Sequence, residues 1–169
     1  MFWYLDQNGD GVLERGDYDR MCRNLLRVLE PAAGSKQAAE IEDSYAVEWN
    51  ELEAEAQQEG RAQVTLEGWL AYRGRQLEGP RAFETMILPY VETVLALLDR
   101  DGDGRVSVPE VRRYLSLYGM PAADLDEILS RINPARRDSF SWEEIGQLAK
   151  EYYFSDDENA PGSWLLGRF

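Results

Sequence analysis

Histidine is absent from the 169 residues, which removes the commonest general base and the commonest imidazole metal ligand. Cysteine occurs once, at Cys22, so neither an intramolecular disulfide nor a thiolate zinc cage can form. Most catalytic constellations are thereby gone, and no enzymatic activity is expected. The lone thiol falls in a helical apolar stripe, where it reads as core, and it fits a reducing compartment. No run approaches the ~20 apolar residues of a membrane span. The apolar start Met1–Leu5 lacks the basic region and cleavage site of a secretory leader, so a soluble, cytoplasmic, monomeric protein is expected. Positive charge is scarce as well: 18 Lys and Arg stand against 32 Asp and Glu, a formal charge of −14. Such a balance repels nucleic acid and anionic membranes and makes cations the natural partners. Acidity can also serve solubility alone, so residue spacing has to decide.

Apolar residues at 44% and aromatics at 11% are enough for a core. Within that frame the segment DRDGDGRVSVPE, Asp99 to Glu110, meets the pattern D-x-[DN]-x-[DN]-G-x5-E at every specified position. Calcium is a hard cation that takes six to eight oxygens. This spacing wraps Asp99, Asp101 and Asp103 around one point, adds the Arg105 carbonyl, and closes the sphere with a bidentate Glu110. Ser107 is expected to act through a water and to form an S-x-x-E capping box with Glu110. A second segment, DQNGDGVLERGD, Asp6 to Asp17, repeats the pattern with Asp6, Asn8, Asp10 and the Val12 carbonyl in register, but ends on Asp17. Aspartate is one methylene shorter, so bidentate closure is harder and Mg2+ competes better with Ca2+. Glu14, the ninth residue, either assists as a ligand or is a solvated acid of the exiting helix.

Helical periodicity surrounds both loops. Phe83, Ile87, Val91, Val94, Leu95 and Leu98 recur at three- and four-residue steps before the stronger loop; Tyr18, Met21, Cys22, Leu25 and Leu29 do so after the weaker one. Helix–loop–helix units come in pairs joined by a short antiparallel strand contact, so each loop needs a partner. Asn133 to Glu144 keeps an apolar eighth residue, Phe140, and a closing Glu144, but carries Ala135 and Arg137 where oxygens are needed. Gln57 to Gly68 keeps only the apolar Val64. The expected fold is all-α, with four helix–loop–helix units in two pairs forming one compact globule. The expected divisions are an N-terminal pair over 1–79, a C-terminal pair over 80–154, and a tail over 155–169 packed on the body. Pro89 is expected to kink the fifth helix or confine it to the residues after Leu88.

These loops, the insertion around the second unit, and the runs LPYVETVLALLDRDGDGRVS and EYYFSDDENAPGSWLLG resemble the sarcoplasmic calcium-binding protein family of the EF-hand superfamily, its calerythrin-like prokaryotic branch in particular. The resemblance implies a helical globule acting as a cytosolic calcium buffer or calcium-responsive protein. Ligand roles carry over to Asp6, Asn8, Asp10, Val12 and Asp17, and to Asp99, Asp101, Asp103, Arg105 and Glu110. The short Met1–Leu5 departs from the family's full entering helix: either the chain starts late or Phe2 and Leu5 pack well enough to hold the loop.

Two alternatives compete with a buffer binding about two Ca2+ per chain. A calcium sensor would open a groove for an unidentified protein target, yet such grooves are rich in methionine and this chain has four. A carrier of an apolar small molecule is suggested by five Trp and nine Tyr. The tail's Trp164, Leu165, Leu166 and Phe169 are expected to dock, with the cleft between the two pairs as the berth.

Overall fold

Apolar residues spaced three and four apart become eight α-helices among the described residues of the computed structural model, which are 1–6 and 8–166. The chain divides into two compact units, Met1–Ala82 and Phe83–Phe169. The first contains α1 (Phe2–Leu5), β1 (Val12–Leu13), α2 (Arg15–Leu29), α3 (Lys36–Gln58), β2 (Val64–Thr65) and α4 (Leu66–Gln76). β1 and β2 pair antiparallel with Leu13 opposite Val64, so the loops of the unit meet at their eighth residues.

The α2 stripe of Tyr18, Met21, Cys22, Leu25 and Leu29 is buried throughout. The helix stops because Glu30 turns left-handed (φ 49°) and Pro31 cannot continue it. α3 begins where the Ser35 hydroxyl accepts from the Ala38 amide at 3.2 Å, satisfying a donor that the helix start leaves open. Its 23 residues extend ~35 Å at 1.5 Å per residue and bury Ile41, Trp49, Leu52 and Ala56. Glu48 of α3 accepts from the Tyr18 hydroxyl at 2.8 Å and from Arg73 of α4 at 2.7 Å. Burial and this carboxylate push the Tyr18 hydroxyl well above its ordinary pKa, so it stays a donor. On α4, Trp69 is buried but Leu70 is 55% exposed. Adjacent helical positions point about 100° apart, and the core takes Tyr72, three residues on, instead.

One turn such as α1 does not hold in water by itself. Here Phe2 and Leu5 are both buried, and the Phe2 ring stands edge-on to Trp69 with centroids 6.0 Å apart. Tertiary packing therefore carries the entering turn of the first loop.

The second unit runs through a π-helical turn (Phe83–Ile87), α5 (Leu88–Leu98), β3 (Arg105–Ser107), α6 (Val108–Leu115), α7 (Ala122–Ile132), β4 (Ser139–Ser141) and α8 (Trp142–Phe154). Pro89 sits at the start of α5. Its ring crowds the carbonyl four residues earlier, and the wider π-turn precedes the point where regular helix begins. β3 and β4 pair antiparallel with Val106 opposite Phe140, and both are essentially fully buried.

After α8 the chain folds back through a 3₁₀ turn, Pro161–Trp164, against α7 and α8. The Gly162 amide donates to Glu151 at 2.9 Å. A Cβ at Gly162 would lie 2.3 Å from the Leu148 carbonyl oxygen, so only glycine permits this approach. Trp164 and Leu166 are buried, and the Arg131 guanidinium stacks 4.3 Å above the Trp164 ring. This berth lies within the second unit; Phe169 is outside the described residues. No helix among the described residues is long and apolar enough to cross a membrane.

Candidate metal centre

Asp99 ends α5 and is buried. Its Oδ1 accepts from the amides of Gly102 at 2.9 Å and Asp103 at 3.2 Å, and its Oδ2 from Gly104 at 2.9 Å. Asp103 in turn accepts from the Arg105 amide at 2.8 Å. These bonds wind the loop around its own carboxylates, and the tight winding needs Gly104 at φ 76°, in the left-handed region. One oxygen each from Asp99, Asp101 and Asp103 lies within 4.8 Å of the others. Burial works to raise the Asp99 pKa, but the three amides and Asp101 outweigh it and hold the carboxyl below its ordinary range.

Glu110 stands outside that trio. Its Oε2 accepts from the Ser107 amide at 2.8 Å and hydroxyl at 2.7 Å, so the expected capping box is formed and the closing carboxylate is held at the start of α6. Arg105 reaches across to the fourth loop, donating from Nε to the Ser139 hydroxyl at 2.7 Å and from Nη2 to the Ser139 carbonyl at 3.1 Å.

The loop over 6–17 winds in the same way. Asp6 is buried and accepts from Gly9 and Gly11, each at 2.9 Å, and from Asp10 at 3.2 Å. Asn8 accepts from the Asp10 amide at 3.0 Å, and Asp10 accepts from the Val12 amide at 3.0 Å. The difference is at the end: Asp17 is fully buried, accepts from the Glu14 amide at 2.9 Å and is ion-paired with Arg20. Asp6, Asp10 and Asp17 make no compact trio among the described residues. Sequence reasoning missed Arg20, although an acid and a base three apart on a helix are neighbours.

In the fourth loop Arg137 is bonded to the Glu144 side chain, and Asn133 accepts from the Arg137 amide at 3.0 Å. The Ser141 amide, and after it Arg137, hold the Glu144 carboxyl below its ordinary range against the opposing effect of burial. In the second loop Arg61 pairs with Glu59.

No family profile matches the sequence. Calerythrin of Saccharopolyspora erythraea is 20% identical over 151 residues, 88% of this chain and 85% of that protein. A Streptomyces coelicolor calcium-binding protein that acts in prokaryotic calcium-mediated regulation superposes with a TM-score of 0.67. It is 24% identical, over 92% of this chain and 95% of that one. The chain shares the EF-hand fold of these calcium-binding proteins. The amphioxus sarcoplasmic calcium-binding protein shares this EF-hand fold at 22% identity, with a TM-score of 0.60 over 98% of this chain and 91% of that one. The oxygen-only donor set of the third EF-hand loop fits a hard divalent cation, because like-charged carboxylates this close repel one another unless a cation joins them.

Proposed function

We propose that the protein binds calcium at Asp99–Glu110 and, more weakly, at Asp6–Asp17, about two ions per chain. The observation that carries this is the carboxylate trio of Asp99, Asp101 and Asp103, brought within 4.8 Å of one another in a loop wound by backbone amides. Asp101 and Asp103, the Arg105 carbonyl and a Glu110 released from its cap complete the third site with Asp99. Asp6, Asn8, Asp10, the Val12 carbonyl and Asp17 form the first, where Mg2+ competes. The residues do nothing to a bound substrate; the protein is a non-enzymatic calcium buffer of a reducing cytoplasm, in keeping with the buried free thiol of Cys22, and it works as a monomer. Calorimetric calcium titration, with and without millimolar magnesium, tests this. Two sites are expected, the weaker one suppressed by magnesium; three calcium ions per chain, or none, would refute it.

A sensor reading draws on one observation, an open cavity of about 340 Å³ in the second unit lined by Phe83, Leu88, Leu95 and Trp142. Calcium-dependent binding of an apolar dye there would favour a sensor over a buffer.

A further inference from the structure

The two loops that lack a calcium ligand set share one substitution. Arg61 is the fifth residue of Gln57–Gly68 and Arg137 the fifth of Asn133–Glu144, where the intact loops carry Asp10 and Asp103. In the fourth loop the guanidinium of Arg137 bonds Oε1 of Glu144, the twelfth residue. It thus joins the two positions that a calcium ion joins in an intact loop. The first residue, Asn133, is buried and clamps the same arginine's backbone, donating to its carbonyl at 2.7 Å and accepting from its amide at 3.0 Å. In the second loop the twelfth residue is Gly68, and a Cβ there would lie 2.7 Å from Nη1 of Arg61. That guanidinium fills the place of a closing side chain while pairing with Glu59, the third residue.

We infer that Arg137 is a tethered cation that closes the fourth loop in place of calcium and, through the strand pair, positions the calcium loop Asp99–Glu110 before metal arrives. The inference rests on the calcium reading of that loop. The link is continuous. Arg105, whose carbonyl is a proposed ligand, is opposite Ser141 in the ladder and grips Ser139 with its side chain. The Trp142 amide donates to the Gly104 carbonyl at 3.3 Å, and the Val108 amide to the Asp138 carbonyl at 2.9 Å. A fourth loop fixed in shape therefore fixes the backbone of its neighbour from Gly104 to Val108, and pre-organisation of this kind lowers the ordering cost of binding. A tethered cation also needs no metal concentration, so the scaffold is present at resting calcium.

The ion pair is partly solvated, with Arg137 46% and Glu144 31% exposed, so its effect is modest and screened by salt. A plain field effect has to be separated from positioning. Removing Arg137's charge would draw calcium in by field alone, whereas removing Glu144's would repel it. The full-length variants R137Q, E144Q and the double R137Q/E144Q separate the two. Calcium is titrated while following the Gly104 amide by NMR, which resolves this loop from the first, and the metal-free proteins are melted in parallel. Positioning predicts that all three variants bind calcium about two- to five-fold more weakly at this loop. It also predicts that the two single changes lower the metal-free melting temperature non-additively. Opposite effects of R137Q and E144Q on affinity, with the double variant like the parent, would replace positioning by field; unchanged affinity in all three would overturn it outright. Failure of the parent chain to bind calcium at Gly104 would instead refute the calcium reading and the positioning with it. The non-additive melting still decides whether Arg137 holds the fourth loop.

Discussion

Glu110 and Asp17 occupy the same place in their loops and are held differently. Glu110 is engaged by the hydroxyl and amide of a serine, neutral donors that a dication readily displaces. Asp17 is engaged by a guanidinium and buried. A charged partner competes with metal for the same oxygen, which adds to the shorter side chain as a reason for the proposed first site to be the weaker of the two. E110Q is therefore predicted to weaken calcium binding at the third loop by about tenfold or more, through loss of one charge and one chelating oxygen at constant volume; an unchanged isotherm would remove Glu110 from the site. R20Q is predicted to act in two directions at once. It leaves a buried carboxylate unpaired in the metal-free protein, lowering its melting temperature, and it frees Asp17, so that metal binds the first loop several-fold more tightly. Lower stability without tighter binding would mean that Arg20 is structural only.

At the scale of elements, the short returning turn depends on a backbone contact. Gly162 comes so close to the Leu148 carbonyl that a methyl group cannot be inserted without moving α8 or the turn. G162A is expected to destabilise the protein by about 1–3 kcal/mol, the usual range for forced overpacking, and to expose Trp164. A red shift of tryptophan emission together with a lower melting temperature would be the sign; a variant indistinguishable from the parent would mean that Trp164 docks by another route. Burial of Trp164 and Leu166 contributes about 1.5–3 kcal/mol each before entropy, so the docked turn can tolerate part of that loss.

For the whole molecule, charge is the dominant quantity. Each bound dication neutralises two of fourteen excess negative charges, and ligands that bind only the folded state stabilise it by mass action. At one hundred times the dissociation constant the gain is about 2.7 kcal/mol per site, and for a chain of this size each kcal/mol moves the melting temperature by about 2–4 °C. Calcium is therefore predicted to raise the melting temperature over the chelator-treated protein by about 5–10 °C for each site filled to that level, more so at low salt. Scanning calorimetry with calcium and with a chelator measures this, and equal melting temperatures would contradict calcium binding by the fold. Acid works the other way. Asp99 and Glu144 are held below the ordinary carboxylate range, so they add stability above that range and lose it as pH falls through their folded values.

What the sequence determined by itself was everything carried by local spacing. The D-x-[DN]-x-[DN]-G pattern placed both wound loops, because a carboxylate bonding amides three to five residues ahead involves no distant partner. Periodicity placed the stripes of α2 and α5, and the apolar eighth residues placed both strand pairs. Helical neighbours were harder: Trp69 and Leu70 look alike in sequence, yet only one side of α4 faces protein. The tertiary structure decided what depends on approach between segments. Gly162 reads as an ordinary turn glycine until the Leu148 carbonyl stands beside it. Arg137 reads as a residue that spoils a cation site until its guanidinium is found against Glu144, and nothing local to Arg61 says that its guanidinium lies over Gly68. A long flexible side chain has many partners within reach along the chain, and only the folded backbone selects among them by bringing one carboxylate or one bare glycine within contact distance.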